Sequence, residues 1–194
     1  LVVVGNAVPR TNPEALECER LGLPYCSMPQ AVNRFVAAGK QTLMVAGTHG
    51  KTTTAALLAW ILQSAGRDPS FVIGGILKNF ESNYRLGRGR FVVIEGDEYD
   101  TAFFDKGPKF LHYRPAATVL TSIEFDHADI YRDLDHVKSA FRSLVEGPAR
   151  EGLLVAYDRD AAIDAVIAGA DGPVQRYGGG AGADWRLGPV TMDP

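Results

Sequence analysis

Short, wholly apolar runs alternate along this chain with longer stretches of helical character. Residues 42–46, 70–73, 91–94, 116–121 and 153–156 are rich in Val, Ile, Leu and Ala and carry almost no polar alternation. Runs of this kind predict strands buried on both faces, as in a parallel sheet. Between them, the Ala/Leu-rich stretch after Lys51 predicts a helix ending near Gly66, residues 134–145 an amphipathic helix, and residues 159–167 another. A short strand is expected at 174–177 and a strand-like segment over 184–190, with a polar, glycine-punctuated loop at 78–90. Strand alternating with helix argues an α/β fold around a mostly parallel sheet.

Residues 1–40 repeat the alternation on a smaller scale. A strand at 1–4 precedes a helix that starts at Asn12-Pro13-Glu14 and runs to about Leu21. A strand at 23–26 follows, then a helix from Pro29 through Ala38 that Gly39 ends. This segment reads as the end of a preceding Rossmann-like α/β domain, with a second unit over residues 41–194. The chain opens directly on an apolar run without a methionine or a cap, as a piece of a longer protein would.

Composition narrows the function classes. Of 194 residues, 46% are hydrophobic and 22% charged, with a net charge of −3, an ordinary balance for a globular protein. No basic footprint points to nucleic acid, and no apolar run nears the ~20 residues that cross a bilayer. With no secretory leader at the start, a cytoplasmic location is expected. Cys18 and Cys26 have no ligand cluster around them and read as buried thiols.

Chemistry concentrates at three predicted strand ends. The first carries Gly47-Thr48-His49-Gly50-Lys51-Thr52-Thr53, between a buried strand and a helix. That context suits a phosphate-binding loop: glycines admit backbone N–H groups to the phosphates, and the helix start adds its unpaired donors. Lys51 would reach the outer phosphates and the Thr52 hydroxyl would meet Mg²⁺. The loop is a tight variant, because Val45 stands where the common pattern has its first glycine.

The second strand end carries Glu95, Asp97, Glu98 and Asp100, whose mutual repulsion calls for a cation; oxygen ligands favour Mg²⁺. The third carries Glu124, Asp126, His127 and Asp129, where His127 is the histidine of interest and His112 and His136 are structural. In open parallel sheets, ligands bind at such strand ends. In the loop at 78–90, Asn79, Asn83 and Arg85 are candidates for holding an anionic substrate.

Gly47-x-x-Gly50-Lys51-Thr52-Thr53-Thr54, Glu95-x-Asp97-Glu98-x-Asp100 and Asp126-His127-x-Asp129, in this order, resemble the motifs of the Mur ligases, ATP-dependent enzymes of peptidoglycan assembly. One branch is similar over most of the chain, through Gly5-Asn6-Ala7-Val8, the segment from Tyr99 to Lys106, and His112-Tyr113-Arg114-Pro115. That branch joins the tripeptide L-Ala-γ-D-Glu-meso-diaminopimelate to UDP-N-acetylmuramate.

The resemblance implies a central ATPase domain over 41–194 and the C-terminal part of a UDP-sugar domain over 1–40. It also implies an acyl phosphate formed from the sugar acid and ATP. Lys51 and His127 would be catalytic, Thr52 and Glu95 would bind one Mg²⁺, His127 a second, and His49 would face the sugar acid. Residues 1–194 by themselves would hold phosphate without ligating, since the family's adenine-contacting segment and amine-binding domain lie outside them.

Two departures from the family pattern stand out. Ser122 occupies a position usually held by Asn, and Phe141 the place where several relatives carbamylate a lysine, so no carbamate is expected. The L-alanine-adding branch of the family is the alternative reading. A non-enzymatic P-loop switch is the alternative of another class.

Overall fold

Two parallel strands, β1 (Val2–Val4) and β2 (Tyr25–Ser27), begin the chain in register Val3 to Cys26. The helix between them, α1 (Pro13–Arg20), starts where predicted because the Asn12 side chain accepts the Glu14 N–H at 2.8 Å and Pro13 has no N–H to satisfy. Cys18 and Cys26 are free and half-buried.

The next helix departs from expectation. It begins as α2 (Met28–Val32), capped reciprocally by Ser27 and Gln30, then widens into a π turn over Asn33–Ala37. There the Asn33 side chain donates to the His112 carbonyl at 2.6 Å, tying the turn to a distant segment. Gly39, at φ 73°, ends it in the left-handed region.

The computed structural model describes residues 1–189, and their centre is one eight-stranded sheet. In chain order its strands are β3 (Gln41–Ala46), β4 (Ser70–Leu77), β5 (Ser82–Arg85), β6 (Phe91–Gly96), β9 (Pro115–Leu120), β10 (Leu153–Tyr157), β11 (Val174–Gly178) and β12 (Trp185–Arg186). Across the sheet they run β12-β11-β10-β9-β3-β6-β4-β5, all parallel except β5. The fold is therefore the α/β class expected, with a mostly parallel sheet. The expected segment at 184–190 is realised as the two residues of β12, and Val190 lies outside the described residues.

Consecutive residues of each strand face opposite layers. Val45, Phe71, Ile73 and Val93 pack with Ala55 and Ala59 of α3 (Lys51–Ser64). On the other face Met44, Ile94, Leu120 and Leu154 pack against Val137, Phe141 and Leu144 of α4 (Leu134–Glu146) and Ile163 and Val166 of α5 (Ala161–Ile167). Each such large side chain contributes about 1.5–3 kcal/mol by leaving water. Phe141 is fully buried in this second layer.

Two elements went unforeseen. The expected loop at 78–90 contains β5, an antiparallel edge strand paired with β4. Its sequence, Ser-Asn-Tyr-Arg, is polar because an edge strand needs little apolar burial. After the acidic motif, β7 (Asp100–Ala102) and β8 (Asp105–Pro108) form a hairpin, followed by a short 3-10 turn over Lys109–His112. Phe103 and Phe104 at the hairpin tip meet Tyr25, with Arg10 over Phe103, so this hairpin touches the first forty residues.

Candidate active site at three adjacent strand ends

β9, β3 and β6 are neighbours at the middle of the sheet, and their registers bring Leu120, Ala46 and Gly96 into one row. The residues that follow each strand therefore emerge side by side. These are Gly47 with its loop, Asp97 with the acidic motif, and Thr121 leading to His127.

The loop is held mainly by the segment after β9. Thr48 N–H donates to the Ser122 carbonyl at 2.8 Å, and the Thr48 hydroxyl bridges the Glu124 N–H and carbonyl. Ser122 Oγ accepts the His49 N–H at 3.0 Å, and Thr121 Oγ1 donates to the His49 carbonyl at 2.6 Å. Gly47 is required here. At φ 140° it lies so close that an added Cβ would come within 2.2 Å of Thr121 Oγ1 and 2.9 Å of the Ser122 nitrogen. Gly50, at φ 79°, makes the left-handed turn that starts α3. Thr52 and Thr53 are exposed in its first turn. The His49 ring is exposed, 3.8 Å from Glu124.

Lys51 folds back over this loop. Its ammonium donates to the carbonyls of Gly47 at 2.7 Å and Thr48 at 3.1 Å, and to Glu98 Oε1 at 2.9 Å. Glu98 Oε2 also lies 2.8 Å from the ammonium, but it makes no well-aligned hydrogen bond. The Glu98 side chain is 2% exposed and that of Lys51 12%, so the pair is nearly dry.

His127 sits on the other side of Glu98, its Nε2 3.2 Å from Oε1, while its Nδ1 lies 2.6 Å from the Tyr99 hydroxyl. The histidine has φ 58°, and its N–H donates to Asp126 Oδ1 at 2.7 Å. Burial and then the charges of Asp129, Asp97, Asp126 and Glu98 push the Tyr99 phenol above its ordinary pKa, keeping it a donor. Tyr131 donates to the Glu98 carbonyl at 2.8 Å, and its own pKa is raised chiefly by burial.

Glu95 stands apart from Glu98. Its Oε1 accepts the Thr52 hydroxyl at 2.8 Å and its Oε2 the Gly74 N–H at 2.8 Å. A half-exposed carboxylate beside a hydroxyl, at the start of a helix, is an oxygen donor set that fits Mg²⁺ shared with phosphates. His127 fits less directly, because both ring nitrogens already have partners. A metal there would displace Glu98 or Tyr99.

The four carboxylates of the acidic motif do not crowd one another. Glu95 turns to Thr52 and Gly74, Asp97 pairs with Lys109 at 2.6 Å, Glu98 with Lys51 and His127, and Asp100 with Lys106 at 2.9 Å. Three lysines and an imidazole thus compensate Asp97, Glu98 and Asp100, while Glu95 meets the Thr52 hydroxyl and the Gly74 N–H and keeps an uncompensated charge for a metal.

Arg85 is not part of this cluster, which corrects the expectation for it. β5 places it opposite Phe71, near the start of β4 and at the other end of the sheet. Its guanidinium is bound to Asp68 Oδ1 at 2.6 Å and to Gln63. Asn79 is exposed in the β4–β5 turn, bordering an apolar depression with Leu57, Trp60 and Phe80 on the flank of α3. His136 and His112 have structural partners: the N–H of His136 donates to Asp133 at the start of α4, and His112 faces Asp105 at 2.9 Å.

A depression of about 830 Å³ lies between Lys40, Arg114, Pro115 and Arg150. It is at the N-terminal ends of the strands, where sheets of this kind do not bind ligands. Lys40 is spent on the carbonyls of Gly87 and Gly89, and Arg150 on Asp171. Sequence reasoning missed Glu98 as the partner of Lys51, and Tyr99 and Tyr131 as its supports. Only the Asp97-Glu98-Tyr99 run pointed toward them.

With this geometry in hand, comparisons with known proteins are specific. The Mur ligase middle domain matches residues 45–192. The chain is 42% identical over 193 residues to the UDP-N-acetylmuramate–L-alanyl-γ-D-glutamyl-meso-2,6-diaminoheptandioate ligase of Escherichia coli K12, covering 100% of this chain and 42% of that protein. A crystal structure of the corresponding ligase from Neisseria meningitidis superposes with a TM-score of 0.89 at 43% identity, over 98% of this chain and 61% of that one. The UDP-N-acetylmuramate–L-alanine ligase of Rubrobacter xylanophilus is 38% identical, over 92% of this chain and 38% of that protein. The chain thus spans less than half the length of these curated relatives.

Proposed function

The chain belongs to the Mur ligase family through its middle domain, and from that membership we propose that it carries the ATP-dependent step that activates UDP-N-acetylmuramate for ligation to L-Ala-γ-D-Glu-meso-diaminopimelate. One observation carries the reading. The Lys51 loop, the Thr52–Glu95 pair and the Glu98–His127 pair converge from three neighbouring strands on one end of the sheet. A phosphoryl transfer needs little more from a protein than positioning and charge neutralisation.

In this reading residues 41–194 are the ATP-binding domain, and residues 1–40 the C-terminal part of the domain that holds the UDP sugar. The sugar's lactyl carboxylate attacks the γ-phosphate of ATP, ADP leaves, and the acyl phosphate is then attacked by the peptide amine with release of phosphate. Lys51 and the N–H groups of Gly50, Thr52 and Thr53 at the start of α3 bind phosphate oxygens, while Gly47, Thr48 and His49 shape the loop, the N–H groups of Thr48 and His49 being spent on Ser122. Thr52 and Glu95 would hold one Mg²⁺ and His49 would face the sugar acid; His127, whose ring nitrogens face Glu98 and Tyr99, would meet a second Mg²⁺ in the metal-loaded enzyme. Bound Mg²⁺ supplies neutralisation of phosphate charge. A cytoplasmic location goes with this reading.

The test is phosphate release by the enzyme at the family's full length, given UDP-N-acetylmuramate, ATP and Mg²⁺ with either the tripeptide or L-alanine as acceptor. We expect kcat/KM to be higher for the tripeptide by two orders of magnitude or more, roughly what a site built for several polar contacts achieves. A preference for L-alanine would assign the chain to the other branch. Phosphate release that ignores both acceptors would leave a nucleotide switch.

A further inference from the structure

The Lys51 ammonium has three N–H donors, and all three are engaged, on the carbonyls of Gly47 and Thr48 and on Glu98 Oε1. Taking up a phosphate oxygen therefore requires giving one of them up. The two carbonyls belong to the loop that wraps the phosphates and lie three and four residues away in sequence, whereas Glu98 lies 47 residues away on a separate strand end.

Glu98 is not free to follow. Its side chain is 2% exposed, and its backbone carbonyl is fixed by Tyr131 at 2.8 Å. A carboxylate left in that position keeps one neighbour able to donate to it, the Nε2 of His127 at 3.2 Å. A buried carboxylate without a partner is costly, so Glu98 must lean on the imidazole whenever the lysine leaves.

We propose that Glu98 is a positioning residue shared by Lys51 and His127, so that phosphate taken up by the lysine hands the carboxylate to the histidine and couples the two strand ends. Two consequences follow. Glu98 competes with phosphate for Lys51, which weakens binding of the anion. In return, occupation of the loop tightens the His127 contact, while Tyr99 holds the far side of the ring at 2.6 Å. The inference rests on the phosphate-site reading of Lys51 and deepens it.

The experiment titrates inorganic tripolyphosphate into this chain by calorimetry, with the His127 ring followed by ¹H–¹⁵N NMR and assigned by its loss in His127→Gln. The parent is expected to bind and its His127 signal to move. Glu98→Gln keeps the shape and removes the charge. It should bind roughly tenfold more tightly, because no anion then competes for the ammonium, and the His127 response should shrink to near nothing. Glu98→Asp, which withdraws the carboxylate by one methylene, should lie between them and serves if the Gln variant does not fold.

Binding by the folded Glu98 variants at or below parent affinity, or a His127 response equal to the parent's, overturns the proposal. A parent that binds no better than Lys51→Ala would instead bring down the phosphate-site reading, and this inference with it.

Discussion

Two cation–carboxylate pairs, at opposite ends of one sheet, look alike at close range and differ in everything around them. Arg85 meets Asp68 at 2.6 Å, with the two side chains 34% and 38% exposed; Lys51 meets Glu98 at 2.8 Å, at 12% and 2%. The first closes a connection between α3 and β4 and has Gln63, the face of Phe80 and the Arg88 N–H beside it. The second is nearly dry and is joined by His127, Tyr99 and Tyr131, with a loop beneath it that only glycine at position 47 fits. A short ion pair is therefore no sign of a functional site. Convergence at the carboxyl ends of parallel strands, with a buried charge that something else must be able to relieve, is a better one.

Substitutions break that comparison unequally. The largest effect is expected at Lys51. Lys51→Ala removes the single cation of the loop and should slow phosphoryl transfer at least about a hundredfold, several kcal/mol of transition-state stabilisation, while circular dichroism shows the fold retained. Glu95→Ala comes next. It deletes the carboxylate that pairs with Thr52, so the Mg²⁺ concentration for half-maximal activity should rise about tenfold or more. Overlapping Mg²⁺ titration curves for parent and variant would remove Glu95 from the metal site. The smallest effect belongs to the other end of the sheet. Arg85→Ala gives up a solvent-screened pair and a cation–π contact, and urea unfolding should register a loss of about 1 kcal/mol with turnover unchanged.

The sequence made one of these regions legible and misled about the other. Buried strands announced themselves because each is a continuous apolar run, and the phosphate loop did so because glycine, lysine and threonine followed one of them. Arg85 was misjudged because a polar stretch was read as a loop. Nothing in Ser82-Asn83-Tyr84-Arg85 signals an edge strand, since an edge buries too little to demand apolar side chains. The hairpin of β7 and β8 was hidden for a similar reason: Asp100-Thr101-Ala102 and Asp105-Lys106-Gly107-Pro108 show no apolar alternation, although Thr101 and Ala102 are fully buried and Phe104 packs on Tyr25. Glu98 was missed as a partner because composition shows four carboxylates together without showing that they point four ways.

The sharpest test of that contrast is isotope exchange between ADP and ATP in the presence of UDP-N-acetylmuramate and Mg²⁺, without any amine. It isolates formation and reversal of the acyl phosphate at the family's full length, and it can be run on Lys51→Ala and Arg85→Ala side by side. The account predicts sugar-dependent exchange in the parent, exchange near the parent rate in Arg85→Ala, and exchange at least a hundredfold slower in Lys51→Ala. Near-parent exchange in a folded Lys51→Ala protein, or its loss in Arg85→Ala, would contradict it.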